Sequence, residues 1–208
     1  MDARPQHTRE LGAHLAPLGL RALGDYCDGD RTITLIGPDE PHFWPVFSAS
    51  AEYQDGAADP MDRWSQRVIG DLAAVMQAEA LFPFGGPPYH PFHSWAVGSG
   101  RFWSSPIGFL VHDEMGLFAS FRGAIRWTKE PETADTVAPC LTCYAPCKSA
   151  CPVDAFSEGY DVAACKAHVG SPAGLDCRQN GCLARRACPV GAGRRLSAQS
   201  AFHMESFL

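Results

Sequence analysis

The strongest periodicity in the chain runs from Asp59 to Met76, where Met61, Trp64, Val68, Leu72, Val75 and Met76 fall on one face of a helix. Asp59 stands where an N-cap residue belongs, and Pro60 occupies the first turn, where a missing N–H costs nothing. A helix with one apolar stripe needs a partner surface, and a sheet is the expected one. Nearer the N-terminus Leu11, Leu15, Leu18 and Leu23 also recur at helical intervals, but Pro17 and Gly19 interrupt them. The run TITLIGP, from Thr32 to Pro38, reads as a buried strand. ALFPFGGPPYHPF, from Ala80 to Phe92, is too rich in proline and glycine for one regular element and predicts a loop leading into a short helix at 93–97. Between Pro106 and Trp127 two apolar runs flank DEMG, the pattern of a β-hairpin. These elements predict an α+β chain whose N-terminal part, residues 1–127, is an α/β domain with a central sheet that binds a cofactor or a partner.

The polar, proline-containing segment TKEPETADTVAP, residues 128–139, predicts a linker. The chain beyond it is set apart by cysteine: of nine in the sequence, eight lie between Cys140 and Cys188, and only Cys27, to which no role is assigned, lies outside. The N-terminus, MDARPQHTRE, is polar, and nowhere do about 18 apolar residues follow one another. Neither an export signal nor a membrane span is therefore expected, and the protein reads as cytoplasmic. In that compartment thiols stay reduced, so dense cysteines point to metal rather than to disulfides. The net charge of −6, with no Lys/Arg run longer than two, argues against nucleic acid and anionic membranes as partners. An apolar fraction of 46% is ordinary for a globular core.

The first cysteine run, CLTCYAPCKSACPV, places Cys140, Cys143, Cys147 and Cys151 at gaps of two, three and three residues, with Pro152 next. A bacterial ferredoxin run is C-x2-C-x2-C-x3-C-P, so this one matches with one residue inserted before Cys147. Three thiolates so spaced curl round one [4Fe-4S] cubane. The fourth, carried onto a helix begun by the proline, is expected to point at a second cluster. Cys165, Cys177, Cys182 and Cys188 are more widely spaced and again end on a proline, Pro189. ACPVDAF (150–156) and ACPVGAG (187–193) lie 37 residues apart, a weak internal duplication. Exchange of fourth ligands then assigns Cys140, Cys143, Cys147 and Cys188 to one cluster, and Cys151, Cys165, Cys177 and Cys182 to the other. Structural zinc, or one cluster beside degenerate remains, are the alternatives these residues leave open. Arg185, Arg186, Arg194 and Arg195 flank the last ligand, either as solvated surface, as charge that raises a cluster's potential, or as a dock for an acidic carrier such as flavodoxin. Phe202, Met204 and Phe207 in the tail are expected to fold back over the module, with His203 beside them.

GLFASFRGAI (116–125), the linker, the quartet ending ACPVDAF, the solitary Cys165 in AACKAHV and the last cysteines ending ACPV resemble epoxyqueuosine reductase, a relative of the corrinoid-dependent reductive dehalogenases. The resemblance covers roughly Pro106 to Gly191. It implies a cobalamin-binding α/β domain joined to a two-cluster ferredoxin-like module, an oxidoreductase fed by flavodoxin or a reductase, and a small-molecule substrate. It also supports giving Cys165 a cluster. The helical repeats with which that family handles tRNA have no counterpart in the sequence. The carboxylic acid proposed as proton donor in the family would align within GGPPYHPFHSWA (85–96), which contains no Asp or Glu. Tyr89, His90 and His93 are the proton-active groups there and the candidates for acid–base work. Gly85 and Gly86 either allow a planar cofactor to approach the backbone or make a tight turn.

Overall fold

The computed structural model describes residues 6–132 and 136–208, which fold as two units. The first unit runs up to Arg101 and resumes at Ser120; the second takes in Phe102–Ala119 and the chain from Thr136 to Leu208. The division thus departs from the expected boundary at residue 127. The cause is apolar: Ile107, Val111 and Leu117 are buried in one core with Cys147, Ala184 and Cys188 of the second unit.

In the first unit α1 (Gln6–Leu15) ends in a 3-10 turn at Ala16–Leu18, where Pro17 breaks the helix, and strand β1 (Leu20–Asp28) follows. Leu11 and Leu15 are buried on the helix and Leu23 on the strand, so one sequence stripe serves two elements. Strand β2 (Arg31–Pro38) contains the TITLIGP run and is buried at every residue after Arg31. After it come α2 (Phe43–Ser48), α3 (Ala51–Gln54), α4 (Pro60–Val75), β3 (Glu79–Leu81) and α5 (Phe92–Gly98). The second unit contributes β4 (Phe102–Ser104) and β5 (Leu110–His112), and the first unit closes with β6 (Gly123–Trp127).

The main sheet has the order β1-β2-β6-β3 and is antiparallel throughout, so the fold is α+β and the central sheet expected in the N-terminal part is an antiparallel one. The hairpin expected across Pro106–Trp127 is also corrected. DEMG does reverse the chain, through a bridge between His112 and Gly116, but β5 pairs with β4 and β6 enters the main sheet between β2 and β3. His112, fully buried, holds that reversal: its Nδ1 accepts from the backbone N–H of Glu114 at 3.1 Å and of Met115 at 3.2 Å.

Helix α4 buries Trp64, Val68, Ile69, Leu72 and Ala73, whereas Val75, placed on the apolar face by the sequence pattern, is 65% exposed in the last turn. Asp59 sits at the N-cap in left-handed conformation and its side chain makes no capping bond. As expected, the helix packs on the sheet, Ile69 lying over Gly123 of β6, where any side chain would collide with it. Its first turn joins an aromatic group in which Trp64 meets Phe43 and Phe47 edge-on at 5.5 and 5.7 Å.

Two ionic arrangements fix the periphery. Arg67 grips Glu52 with both oxygens engaged, at 2.5 and 3.0 Å, and this hydrogen-bonded pairing holds the Glu52 carboxyl down to about 2 from an ordinary 4.5. A carboxylate with a depressed folded-state pKa contributes stability above its unfolded value and loses that contribution as pH falls through the folded one. Carbon-detected NMR titration should therefore find the Glu52 midpoint near 2 and, in Arg67→Gln, return it toward the unfolded value. The second arrangement lies at the start of the predicted linker. Lys129 Nζ meets Asp25 Oδ2 at 2.5 Å, each side chain 5% exposed, and the Glu132 N–H donates to the same oxygen at 2.9 Å. Residues 128–132 are thus fastened to the first unit, and 133–135 of the expected linker lie outside the described residues.

The second unit continues through a 3-10 turn at Pro146–Lys148, α6 (Val162–Val169), a 3-10 turn at Pro172–Gly174, α7 (Leu175–Asn180), α8 (Leu183–Arg186) and α9 (Ser197–Phe207). Asp161 caps α6, accepting from the Ala164 N–H at 2.9 Å. Helix α9 packs on α7, and Met204 and Phe207 close over Val169, Cys165 and Cys177, as the tail pattern predicts; His203 is exposed. Among the described residues no helix is long and apolar enough to cross a membrane.

Candidate functional site

Eight thiols gather in the second unit, all of them free. Cys140, Cys143 and Cys147 lie on the loop around the first 3-10 turn, and Cys188 comes from 41 residues beyond Cys147 to join them. The pKa of Cys140 is raised by burial first and then by the neighbouring charges of Cys143, Cys188 and Cys147. That of Cys147 is raised by burial and then by Cys188. Cys151, Cys165, Cys177 and Cys182 instead border one narrow cavity, whose apolar wall includes Phe156, Val169, Leu183 and Met204. The fourth member of the first run thus stands with the second set, and the last cysteine with the first.

The residue inserted before Cys147 has a local explanation. Ala145 adopts the left-handed conformation, φ 56° and ψ 54°, which takes up the extra length and turns its N–H onto Cys143 Sγ at 3.4 Å. Further backbone donors reach other sulfurs: Ala155 N–H points to Cys151 Sγ at 3.4 Å, Leu183 N–H to Cys177, and Arg185 and Ala184 N–H to Cys182. Burial pushes the Cys177 and Cys182 thiols up, and these donors pull the other way because they favour the thiolate.

The helix expected to begin at Pro152 does not form, and none begins at Pro189. Pro152 and Pro189 each open a turn, and in both the residue two places on is left-handed, Asp154 at φ 48° and Gly191 at φ 68°. The duplication seen in the sequence is therefore a repeated turn, and a left-handed residue at that place stops a helix from propagating. Gly116 seats against the second copy: a Cβ there would run into the Val190 carbonyl oxygen and stand 3.2 Å from Cys188 Sγ, at a φ of 59°. Gly116→Val should destabilise the second unit by about 1–3 kcal/mol, as overpacking does, and displace Cys188. Urea unfolding and thiol accessibility to an alkylating reagent would register both.

The arginines beside the last cysteine are engaged within the unit. Arg185 and Arg195 lie over the Phe118 ring at 5.1 and 4.9 Å, and they donate to the carbonyls of Leu117 at 2.7 Å and Phe118 at 3.0 Å. Arg186 pairs with Asp176, and Arg194 reaches Met115 Sδ at 4.0 Å. Arg185, Arg194 and Arg195 thereby fasten the 102–119 segment to the cysteine loops.

Comparison with family models, with characterised proteins and with solved structures finds no match. The candidate acid–base groups of the first unit, Tyr89, His90 and His93, are all exposed. Tyr89 is 65% exposed, the His90 ring lies tilted by 30° against Trp95 at 5.6 Å, and His93 is on α5. Gly85 makes a turn at φ 83°. Cys27 is exposed on β1. Among the described residues no three His, Cys, Asp or Glu side chains form a group that could hold a single metal ion. Two residues of the site escaped the sequence pattern. Tyr160 hydrogen-bonds Cys165, a contact that with burial raises the pKa of its phenol. Phe109 packs edge-on against both Tyr160 and Phe156 at 5.2 Å. The spacing of Phe156 and Tyr160, four residues apart beside a cysteine run, was a signal for Tyr160; Phe109 had none.

Proposed function

We propose that the chain is an iron–sulfur redox protein whose ferredoxin-like second unit carries two [4Fe-4S] clusters, and that it passes electrons through them to a cofactor or substrate at the first unit. The observation that carries this reading is the grouping of thiols: Cys188 with Cys140, Cys143 and Cys147, and Cys151 with Cys165, Cys177 and Cys182 round one cavity. Such an exchange of fourth ligands is what a two-cluster ferredoxin requires. The donor set also suits it, because backbone N–H groups aimed at the sulfurs stabilise thiolates in a buried apolar setting and set a cluster's potential. When bound, the clusters supply one-electron transfer; the chain's own part is to hold the thiolates, exclude water and orient N–H donors.

A corrinoid at the first unit, a donor such as flavodoxin or another reductase, a small-molecule substrate and cytoplasmic residence follow from the resemblance to epoxyqueuosine reductase and the cysteine usage. The exposure of Val137, Leu141 and Tyr144, at 74, 75 and 86% beside the first three thiols, favours a second reading. In it the protein is a ferredoxin-type carrier that docks a partner through that apolar edge. Anaerobic purification followed by iron, sulfide, zinc and cobalt analysis, with spectra before and after incubation with cobalamin, tests both. About eight irons and eight sulfides per chain are expected for two cubanes. Retained cobalamin supports the reductase, iron without cobalamin the carrier, and zinc without labile sulfide overturns the proposal.

A further inference from the structure

A second cavity opens on the second unit, sharing Phe156 with the narrow one but lined by none of its four thiols. It encloses about 380 Å³, between Pro106–Phe109 on one side and Phe156–Tyr160 on the other. That is within the range of small-molecule sites, roughly 300–1,000 Å³. Its walls are aromatic and ordered: Phe156 and Tyr160 stack at 5.0 Å with their planes 15° apart, and Phe109 meets both edge-on. At Gly108 and Gly159 the backbone lies bare, with nothing within 4 Å of where a side chain would begin. Glu158 is the single charged residue of the lining. Tyr160 belongs to the cleft and also hydrogen-bonds Cys165, which borders the narrow cavity.

We infer that this cleft is a binding site for a planar, uncharged aromatic redox molecule of the quinone or isoalloxazine kind, and that Tyr160 sets it against the second cluster for electron exchange. The inference rests on the two-cluster reading above. Flat aromatic walls favour a flat ring by stacking, bare glycine backbone lets that ring approach closely, and Glu158 disfavours an anion. The step balances. With both clusters held and reduced, each would supply one electron, two in all. A bound quinone takes both electrons and two protons from water to become the hydroquinone. Tyr160 is a positioning residue and undergoes no net change.

The test uses the full chain with its iron counted, lumiflavin as the binding probe and menadione as the electron acceptor after reduction with dithionite. Ser157→Trp, at an exposed position in the cleft, fills it without touching a thiol. It should weaken lumiflavin binding, read by fluorescence quenching, and slow menadione-driven reoxidation, each by about tenfold. Reoxidation by ferricyanide, an anion that does not need the cleft, should stay unchanged. Glu158→Trp gives a second blocking variant should the first not fold. Equal lumiflavin binding in wild type and both variants, or reoxidation by menadione that neither variant slows, overturns the inference. A chain without iron ends the two-cluster reading instead, while the lumiflavin result still reports on the cleft.

Discussion

A chain carrying both Cys143→Ala and Cys188→Ala is expected to keep about four irons per molecule, whereas one carrying Cys143→Ala and Cys151→Ala is expected to keep none. The contrast comes from how the thiols are grouped. Cys143 and Cys188 lie far apart in sequence but both sit beside Cys140, so losing the second costs nothing once the first has released its cluster. Cys143 and Cys151 are near neighbours in the same run, yet Cys151 borders the cavity shared with Cys165, Cys177 and Cys182. Each removal then empties a different site. Shared dependence of this sort appears as strong non-additivity, and independent sites add. Iron and labile sulfide per chain, with the absorbance near the iron–sulfur band, give the count directly. If the run Cys140–Cys151 held one cluster by itself, the pattern would invert: Cys143→Ala/Cys151→Ala would retain half the iron and Cys143→Ala/Cys188→Ala none.

Lys129→Met should lower the stability of the first unit by about 3–5 kcal/mol, the usual cost of leaving one member of a buried ion pair alone. The pair is unusually connected. Asp25 Oδ2 receives Lys129 and the Glu132 N–H, while Oδ1 receives Thr34 Oγ1 at 2.6 Å, which in turn accepts from the Trp127 indole N–H at 3.0 Å. Thr32 Oγ1 donates to the Lys129 carbonyl at 2.6 Å. Removing the ammonium leaves a carboxylate 5% exposed with hydrogen bonds but no countercharge. Denaturant unfolding followed by tryptophan fluorescence would report the loss. In the double variant Asp25→Asn/Lys129→Met most of the stability should return, because neither charge is then buried alone. A loss under about 1 kcal/mol in the single variant would mean the pair behaves as a surface one.

How much of this was legible in the sequence depended on whether a signal was local. Strand β2 was, because a strand between two others is buried on both faces and its residues are apolar or small without a break. Most of the α4 stripe was, and Val75 misled because helical spacing says which residues share a face, not where the covering sheet stops. The apolar run from Pro106 to Trp127 was not divided correctly. Nothing in its composition marks the change at Ser120, where the chain passes from one unit to the other, since both halves are equally apolar and which core each enters is a tertiary matter. The grouping of the thiols, Cys188 beside the first run and Cys151 with the later set, accords with the exchange expected from the cysteine order. The absence of a helix after Pro152 could not be read, because the left-handed Asp154 decides the turn and aspartate carries little warning of it. Asp25 with Lys129, and Phe109 with Tyr160, join residues too distant in sequence for any pattern to pair.

The passage of 102–119 into the second unit has a consequence for synthesis on the ribosome. The hairpin of β4 and β5 emerges long before Cys147, Ala184 and Cys188, the residues its apolar face is buried with, so it must wait, uncovered, while the rest is translated. The first unit has its own gap, since β6 comes after that hairpin and the sheet lacks an interior strand until residue 127 has left the exit tunnel. Neither unit can finish first and then ignore the other's chain. A gene cut at residue 139 would accordingly yield a cysteine fragment without Ile107, Val111 and Leu117, and such a fragment is expected to stay unfolded by circular dichroism, whereas a polypeptide begun at Phe102, with the β6 segment bridged by a short flexible linker, should fold.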